Sequence, residues 1–493
     1  MRLRSPLPAA AAAIVAMGIA GTACSPAQRA SQTAAGATAA AANPGPLPFR
    51  LPAQSVLRSS KHKVFAHYFT PYPISLDNKA AASDYYTKNY LSPTGESGKH
   101  AAYGGLLRDR PIGRAPLSGD WQLEDMKTEV RRAAAAGLDG FTVDLLSVSS
   151  SSANWSRVKL LIKAAEQVDP GFEIVLMPDM NGLANVSADA LAAAVASVAK
   201  SPAVYHLADK RLVVSPFKAE GKSAAWWSSW MTIMRDRYDI EVALVPCFLN
   251  FGSGADAFAA ISYGFSNWGN RNPAANTGLA ANISRAHRLG KIWMQPVSVQ
   301  DERPNQGKYD EAGNTENLRL TWKAAIDGAD WVQIPTWNDY SEGAQLSPSA
   351  KHGWTYLDLS SYYLTRLKTG KYPAITKDVV YVTHRTQPAA ARPKVAETRL
   401  MALRSGSTPA RDQVEVLTML TGAAKVTATI GGTPHTYSAP AGVHVQTFPL
   451  TTGTNSVSVT RNGAVTAKVT SPFTVTSTPQ VQDEQYYGVT SGR

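Results

Sequence analysis

The chain is predicted to fold as a parallel (β/α)8 TIM barrel followed by a small all-β sandwich. Three observations carry that expectation. About eight short apolar runs alternate with helical stretches between residues 63 and 370, the pattern of strands buried on both faces and wrapped by helices. No glycine-rich phosphate fingerprint follows any early strand, which argues against the competing open, doubly wound sheet. Beyond residue 376 the runs become short, Thr- and Val-rich and bounded by Gly, Pro, Ser or Asn, the grammar of an antiparallel sandwich.

Taken in order, Met1 to Cys24 reads as an export signal, with Arg2 and Arg4 as its charged start and Ala9 to Ala20 as its apolar segment. It is too short for a stable membrane span. Gly21-Thr22-Ala23-Cys24 fits a lipoprotein processing site, in which Cys24 would be acylated, as well as it fits plain secretion. Either places the mature protein outside the cytoplasm, secreted or lipid-anchored at the cell surface, without a transmembrane span. Residues 25–58 are Ala, Pro, Thr and Gln with few large apolar side chains, a composition that buries too little surface to fold, and are read as a linker.

The barrel is assigned to residues 59–375. Its strands are expected at Val64 to Phe69, Gly140 to Leu146, Phe172 to Met180, Arg211 to Phe217, Glu241 to Leu249, Ala260 to Trp268, Lys291 to Val299 and Trp331 to Thr336. Helices are expected at Leu123 to Ala136, Trp155 to Val168, Ala188 to Lys200, Ala224 to Tyr238, Thr277 to Leu289, Glu316 to Asp327 and Leu357 to Leu367. Asp120 and Ser118 are candidate caps for the first of these. Pro71 to Gly119 is a long insertion after the first strand, which makes Tyr85, Tyr86, Tyr90 and Tyr103 either cleft lining or the core of a surface flap. The sandwich is assigned to 376–475 and read as a packing or spacer module because it has no Trp. Residues 476–493 are expected to fray as a tail.

Composition removes several function classes. The formal charge is +12, yet Lys and Arg are scattered and never form a run of five, so no nucleic-acid footprint is expected. Two cysteines, no CxxC or HExxH segment and nine histidines without ligand spacing give no case for a metal or other cofactor.

In a barrel, residues at the C-terminal strand ends converge on one face. That rule gathers Asp144, Asp179 and Asn181, Asn250, Asn267 and Trp268, then Gln295, Gln300, Asp301 and Glu302, and finally Trp337, Asn338, Asp339, Tyr340 and Glu342. Asp144 stands alone in the apolar GFTVDLL, where a charged and unpaired carboxylate would be costly. Asp179 fits a helix cap as well as a cleft, and Asp301 and Glu302 fit a surface ion pair with Arg303. Asp339 and Glu342 are the strongest pair. Carboxyls three residues apart beyond a strand end can enter one cleft and divide acid and base roles, the pattern of sugar-cleaving enzymes. A capping box would use the same spacing.

Val64-Phe65-Ala66-His67-Tyr68-Phe69, the AGLDGF segment before the second strand, and Trp337-Asn338-Asp339-Tyr340-Ser341-Glu342 resemble glycoside hydrolase family 71, the α-1,3-glucanases also called mutanases. The similarity runs from residue 63 to about 370. It implies endo-hydrolysis of an α-glucan polysaccharide with Asp339 and Glu342 as the catalytic pair and Asp144 as the nearest match to a further acid on the second strand. Gly343-Ala344-Gln345-Leu346-Ser347-Pro348 departs from that pattern and is closer to family 99, the endo-α-mannosidases and mannanases.

On this reading Glu342 is the general acid and Asp339 the base that activates water, with inversion. Trp337, Tyr340 and Trp268 stack sugars, Asn338 and His67 orient hydroxyls, and Tyr68, Asp179, Asn181, Asn267 and Gln295 complete the substrate site. A monomer is expected. An α-mannan hydrolase of family 99 type and a non-catalytic, surface-attached glycan-binding protein are the alternatives.

Overall fold

The computed structural model describes residues 45–493, so the leader, Cys24 and most of the Ala-rich linker lie outside the described residues. Eight parallel strands form the first module: β1 (Lys63–Tyr68), β2 (Gly140–Leu145), β3 (Glu173–Pro178), β4 (Leu212–Val214), β5 in two pieces (Val242–Leu244 and Cys247–Phe248), β6 (Gly264–Asn267), β7 (Ile292–Pro296) and β8 (Trp331–Ile334). The sheet closes through both halves of β5. Val242–Leu244 pairs with β4, and Cys247–Phe248 pairs with β6. Pro246 sits at the break, where its missing N–H costs the ladder nothing and its carbonyl accepts from Ser266 at 2.8 Å.

A helix follows each strand: Trp121–Ala135, Ala153–Val168, Ala188–Ala199, Ala224–Tyr238, Phe251–Phe258, Leu279–Arg288, Glu316–Gly328 and Thr355–Thr369. The result is the (β/α)8 barrel. Asp120 caps the first helix by accepting from the Leu123 amide at 3.3 Å. Strand and helix side chains bury one another in a continuous outer core, while Phe65, Val175, Val213, Ala243, Val245, Met294 and Trp331 fill the barrel lumen below the catalytic face. That lumen plug leaves only the upper ends of the strands open to a ligand.

The second module has two four-stranded antiparallel sheets. Naming β9 (Val379–His384), β10 (Gln413–Leu420), β11 (Ala424–Ile430), β12 (Thr433–Ala439), β13 (Gly442–Pro449), β14 (Asn455–Arg461), β15 (Ala464–Thr470) and β16 (Tyr487–Thr490), the orders are β13-β10-β9-β16 and β12-β11-β14-β15. Val380, Val414, Val416, Val426, Val457 and Val459 fill the space between them.

Two expectations are corrected here. Residues 45–58, read with the linker, pack on the barrel: Phe49 and Leu57 are buried, and Phe49 bridges to Ile375. Leu47 and Leu51 pack on the same core, so this end of the stretch carries apolar side chains that the Ala- and Thr-rich residues before it lack. The tail does not fray either. β16 is the edge strand of one sheet, and Asp483 to Tyr487 are all buried.

Candidate active site

The loop after β8 sends its side chains to two sides. Trp337 is fully buried behind the barrel wall, its indole against Phe141 at 5.1 Å and its Nε1–H donating to Glu129 at 3.0 Å. Asn338, also buried, accepts from the Phe69 amide at 2.7 Å and donates to the carbonyls of Phe69 and Tyr72. Tyr340 joins Tyr72, Tyr86 and Leu107 in a small core, its hydroxyl 2.9 Å from that of Ser347. Between these anchors Asp339, Ser341 and Glu342 reach a cleft of about 500 Å³ at the C-terminal strand ends.

His67, Asp144, Asp179, Asn181, Trp268, Asp339 and Glu342 share that cleft. Tyr68, Asn267, Gln295, Trp337, Asn338 and Tyr340 do not. Tyr68 points outward and donates to the Met126 sulfur at 3.2 Å, and Gln295 is satisfied by Trp293 and the Pro296 carbonyl. Asn267 is half-buried one residue short of the cleft wall, where Trp268 takes its place. The expected stacking by Trp337 and Tyr340 is therefore corrected: both rings are structural. The flap tyrosines stay out of the cleft too, with Tyr86 donating to the Pro73 carbonyl at 2.6 Å.

The floor of the cleft is electrostatically divided. His67 places Nε2 3.6 Å from Asp144 and Nδ1 3.1 Å from the Met177 sulfur, and its ring meets Trp268 edge-on at 5.0 Å. Burial lowers His67 to about 4, so the imidazole is neutral at working pH. Burial also pushes Asp144 well above the usual carboxyl range, reinforced by Asp339, and raises Asp179 to about 6, again reinforced by its neighbour Asp144. Asp339 is raised by the same burial, but the Ser341 hydroxyl and amide donate to its Oδ1 at 2.6 and 3.0 Å and favour its ionised form. Glu342 is raised to about 8, by burial first and the Asp339 charge second. Of the two, Glu342 is thus the one held towards its protonated form and Asp339 the one whose carboxylate is hydrogen-bonded.

In contact with Glu342 lies a charged rim, of which the sequence-based site held only Asp301. Arg303 contacts Glu342 at 2.7 Å and grips Asp301 with a fork of bonds at 2.6 to 2.9 Å. Arg404 reaches Asp301 and Asp310, both at 2.9 Å. Burial opposes ionisation of Asp301, yet Arg303, Arg271 and Arg404 together hold it below the usual carboxylate range. Arg271 is buried, with its guanidinium 5.3 Å from the Trp268 ring. Asp301 and Arg303 had a local signal as an ion pair, and that pair exists, but inside the cleft. Among the described residues no group of three His, Cys, Asp or Glu side chains is placed to hold a metal ion. No helix among them is long and apolar enough to cross a membrane.

A closed parallel barrel that gathers acids, amides and an indole at its strand ends is the architecture of a glycoside hydrolase. The chain belongs to glycosyl hydrolase family 71, whose model matches residues 117–489. The match runs through the sandwich, beyond the span suggested by the motifs. A glucan endo-1,3-alpha-glucosidase from Schizosaccharomyces pombe is 25% identical over 398 residues, covering 75% of this chain and 91% of that protein. A mutanase from Penicillium rubens is 25% identical over 371 residues, covering 70% and 80%. Among solved structures, a family 99 endo-alpha-mannosidase from Bacteroides thetaiotaomicron matches with a TM-score of 0.49 and 15% identity, covering 62% of this chain and 97% of that one.

Proposed function

We propose that the protein cleaves internal α-1,3-glucosidic linkages of an α-glucan outside the cytoplasm, with Glu342 as general acid and Asp339 as base. The observation that carries this reading is the meeting in one cleft of Glu342, which burial and the Asp339 charge push towards its protonated form, and Asp339, which accepts from Ser341. Glu342 would give its proton to the glycosidic oxygen as the bond from the anomeric carbon breaks. Asp339 would take a proton from the water that attacks that carbon from the opposite face, so the product anomer is inverted.

Asp144, kept protonated by burial, and neutral His67 would hydrogen-bond sugar hydroxyls without adding charge. Of the three rings expected to stack sugars, Trp268 is the one that lines the cleft, its partly exposed ring available for a pyranose face. The export-type leader and the polymeric substrates in the relatives' names support an extracellular site of action. Acylation of Cys24 and a monomeric state belong to the same reading and await mass spectrometry and light scattering.

Reducing-end release should be measured on α-1,3-glucan and on yeast α-mannan, with Asp339→Asn as control. Oligosaccharide release from the glucan, abolished in a variant that still folds, is the expected result. Release from mannan alone would replace the substrate assignment. Full activity of Asp339→Asn would end the catalytic one, and glycan retention without any release would leave a binding protein.

A further inference from the structure

The sandwich contributes to the cleft. Arg404 lies in the long connection between β9 and β10, outside the barrel, yet it lines the same cleft as Asp339 and Glu342. Three sets of contacts fix this connection in place. Its strand Ala402–Leu403 pairs in parallel with Lys308–Tyr309 of the loop after β7, which in turn pairs with Glu302–Arg303. The Arg404 amide donates to the Tyr309 carbonyl at 2.8 Å. On its other side the Arg399 amide donates to the Ala102 carbonyl of the flap at 2.8 Å.

The guanidinium so placed has one face spoken for. Nη2 and Nε bond Asp301 and Asp310 at 2.9 Å each, while Nη1 has no hydrogen-bond partner among the described residues and the side chain is 33% exposed. The contacts form a chain from Glu342 through Arg303, Asp301 and Arg404 to Asp310, and none of these ion pairs is made with Asp339, His67 or Asp144. Glu342 stands at the head of that chain, and a general acid faces the sugar that leaves.

We propose that Arg404 is a substrate-binding residue for the leaving-group sugar, donated to the barrel's active site by the second module. Its free donor, held rigid by two buried carboxylates, hydrogen-bonds hydroxyls of the glucose unit beyond the cut. This rests on Glu342 being the acid in an α-glucan hydrolase.

The test compares wild type, Arg404→Ala and Arg404→Lys on soluble α-1,3-glucan and on an α-1,3-linked oligoglucosyl fluoride. Fluoride departs without an acid and occupies no sugar site. Loss of one charged hydrogen bond predicts that Arg404→Ala lowers kcat/KM for the glucan by roughly 10- to 100-fold more than for the fluoride, mainly through KM. Arg404→Lys, which keeps the charge, should recover part of that difference. Equal losses on both substrates would mark Arg404 as structural and overturn the proposal, as would no loss on either. Wild-type protein that hydrolyses the fluoride but spares α-1,3-glucan overturns the substrate reading, and the proposal with it. Circular dichroism and Tm of each variant establish that a loss is not unfolding.

Discussion

At the scale of single residues, the site separates two kinds of carboxyl chemistry by solvation and neighbours. In the proposed mechanism Glu342 carries the acid limb of the reaction, for which burial and the adjacent Asp339 suit it by raising it to about 8. Catalysis that needs this proton is lost as pH rises through that value, so kcat/KM for the glucan should fall on the alkaline side with a midpoint near 8. Glu342→Gln should remove that alkaline limb and depress glucan hydrolysis by roughly 100-fold or more, while the oligoglucosyl fluoride, which needs no proton, loses far less. Equal losses on the two substrates in Glu342→Gln would move the acid elsewhere. Arg303 acts against this elevation from 2.7 Å, so the acid is tuned between two opposed charges rather than simply buried.

Elements decide which of the motif residues do chemistry. The strand β8 was legible from sequence as an apolar run, but that signal ends at the strand terminus. Past that point, hydrogen bonds from Trp337 to Glu129 and from Asn338 to Phe69 and Tyr72 set the orientation, and these partners are distant in sequence. Aromatic composition therefore pointed correctly to the loop and wrongly to its rings. The helix Phe251–Phe258 escapes sequence reading for a local reason: GSG lowers helix propensity, and packing of Phe251, Ala255 and Phe258 overrides it. The same scale explains the buried tail. Glu302 donates its amide to the Glu342 carbonyl at 2.7 Å and accepts from the Glu484 amide at 2.8 Å, while Gln300 accepts from Tyr486 at 2.9 Å. A Cβ on Gly343, already at φ +58°, would come within 2.7 Å of the Gln485 amide group. Residues 481–487 thus form the back support of the catalytic loop. Deleting residues 476–493 should abolish hydrolysis and lower Tm, and a truncated chain with wild-type activity and Tm would refute that support.

For the whole molecule, the number of buried acids has a thermodynamic consequence. Burial is the first cause in raising Glu129 and Glu484 to about 7, Asp109 to about 6 and Glu342 to about 8. Each binds its proton more tightly folded than unfolded, so the stability it contributes is present below its unfolded value near 4 and is lost as pH rises through the folded one. Asp378 works in the opposite sense: with Arg461 and Thr466 bonded to it, it is lowered to about 2, and its contribution is lost as pH falls below about 4. These acids outnumber His67, whose value lowered to about 4 works the other way, so the protein should be most stable near pH 4, with Tm declining towards pH 8. A Tm that rises steadily over that range would contradict the assignment. The barrel and sandwich were legible because their strands and turns are local signals. The join between them was not, because Arg404 and its partners Asp301 and Asp310 lie about a hundred residues apart and no periodicity links them.

That join also bears on where the chain can be divided in an engineered exchange of modules. Arg404 travels with the sandwich, whereas Asp301 and Asp310 travel with the barrel. A chimera crossed over between residues 310 and 404 would draw the two halves of one charge pair from different parents. A cut at the boundary suggested by their separate folds would therefore part Arg404 from both of its carboxylate partners.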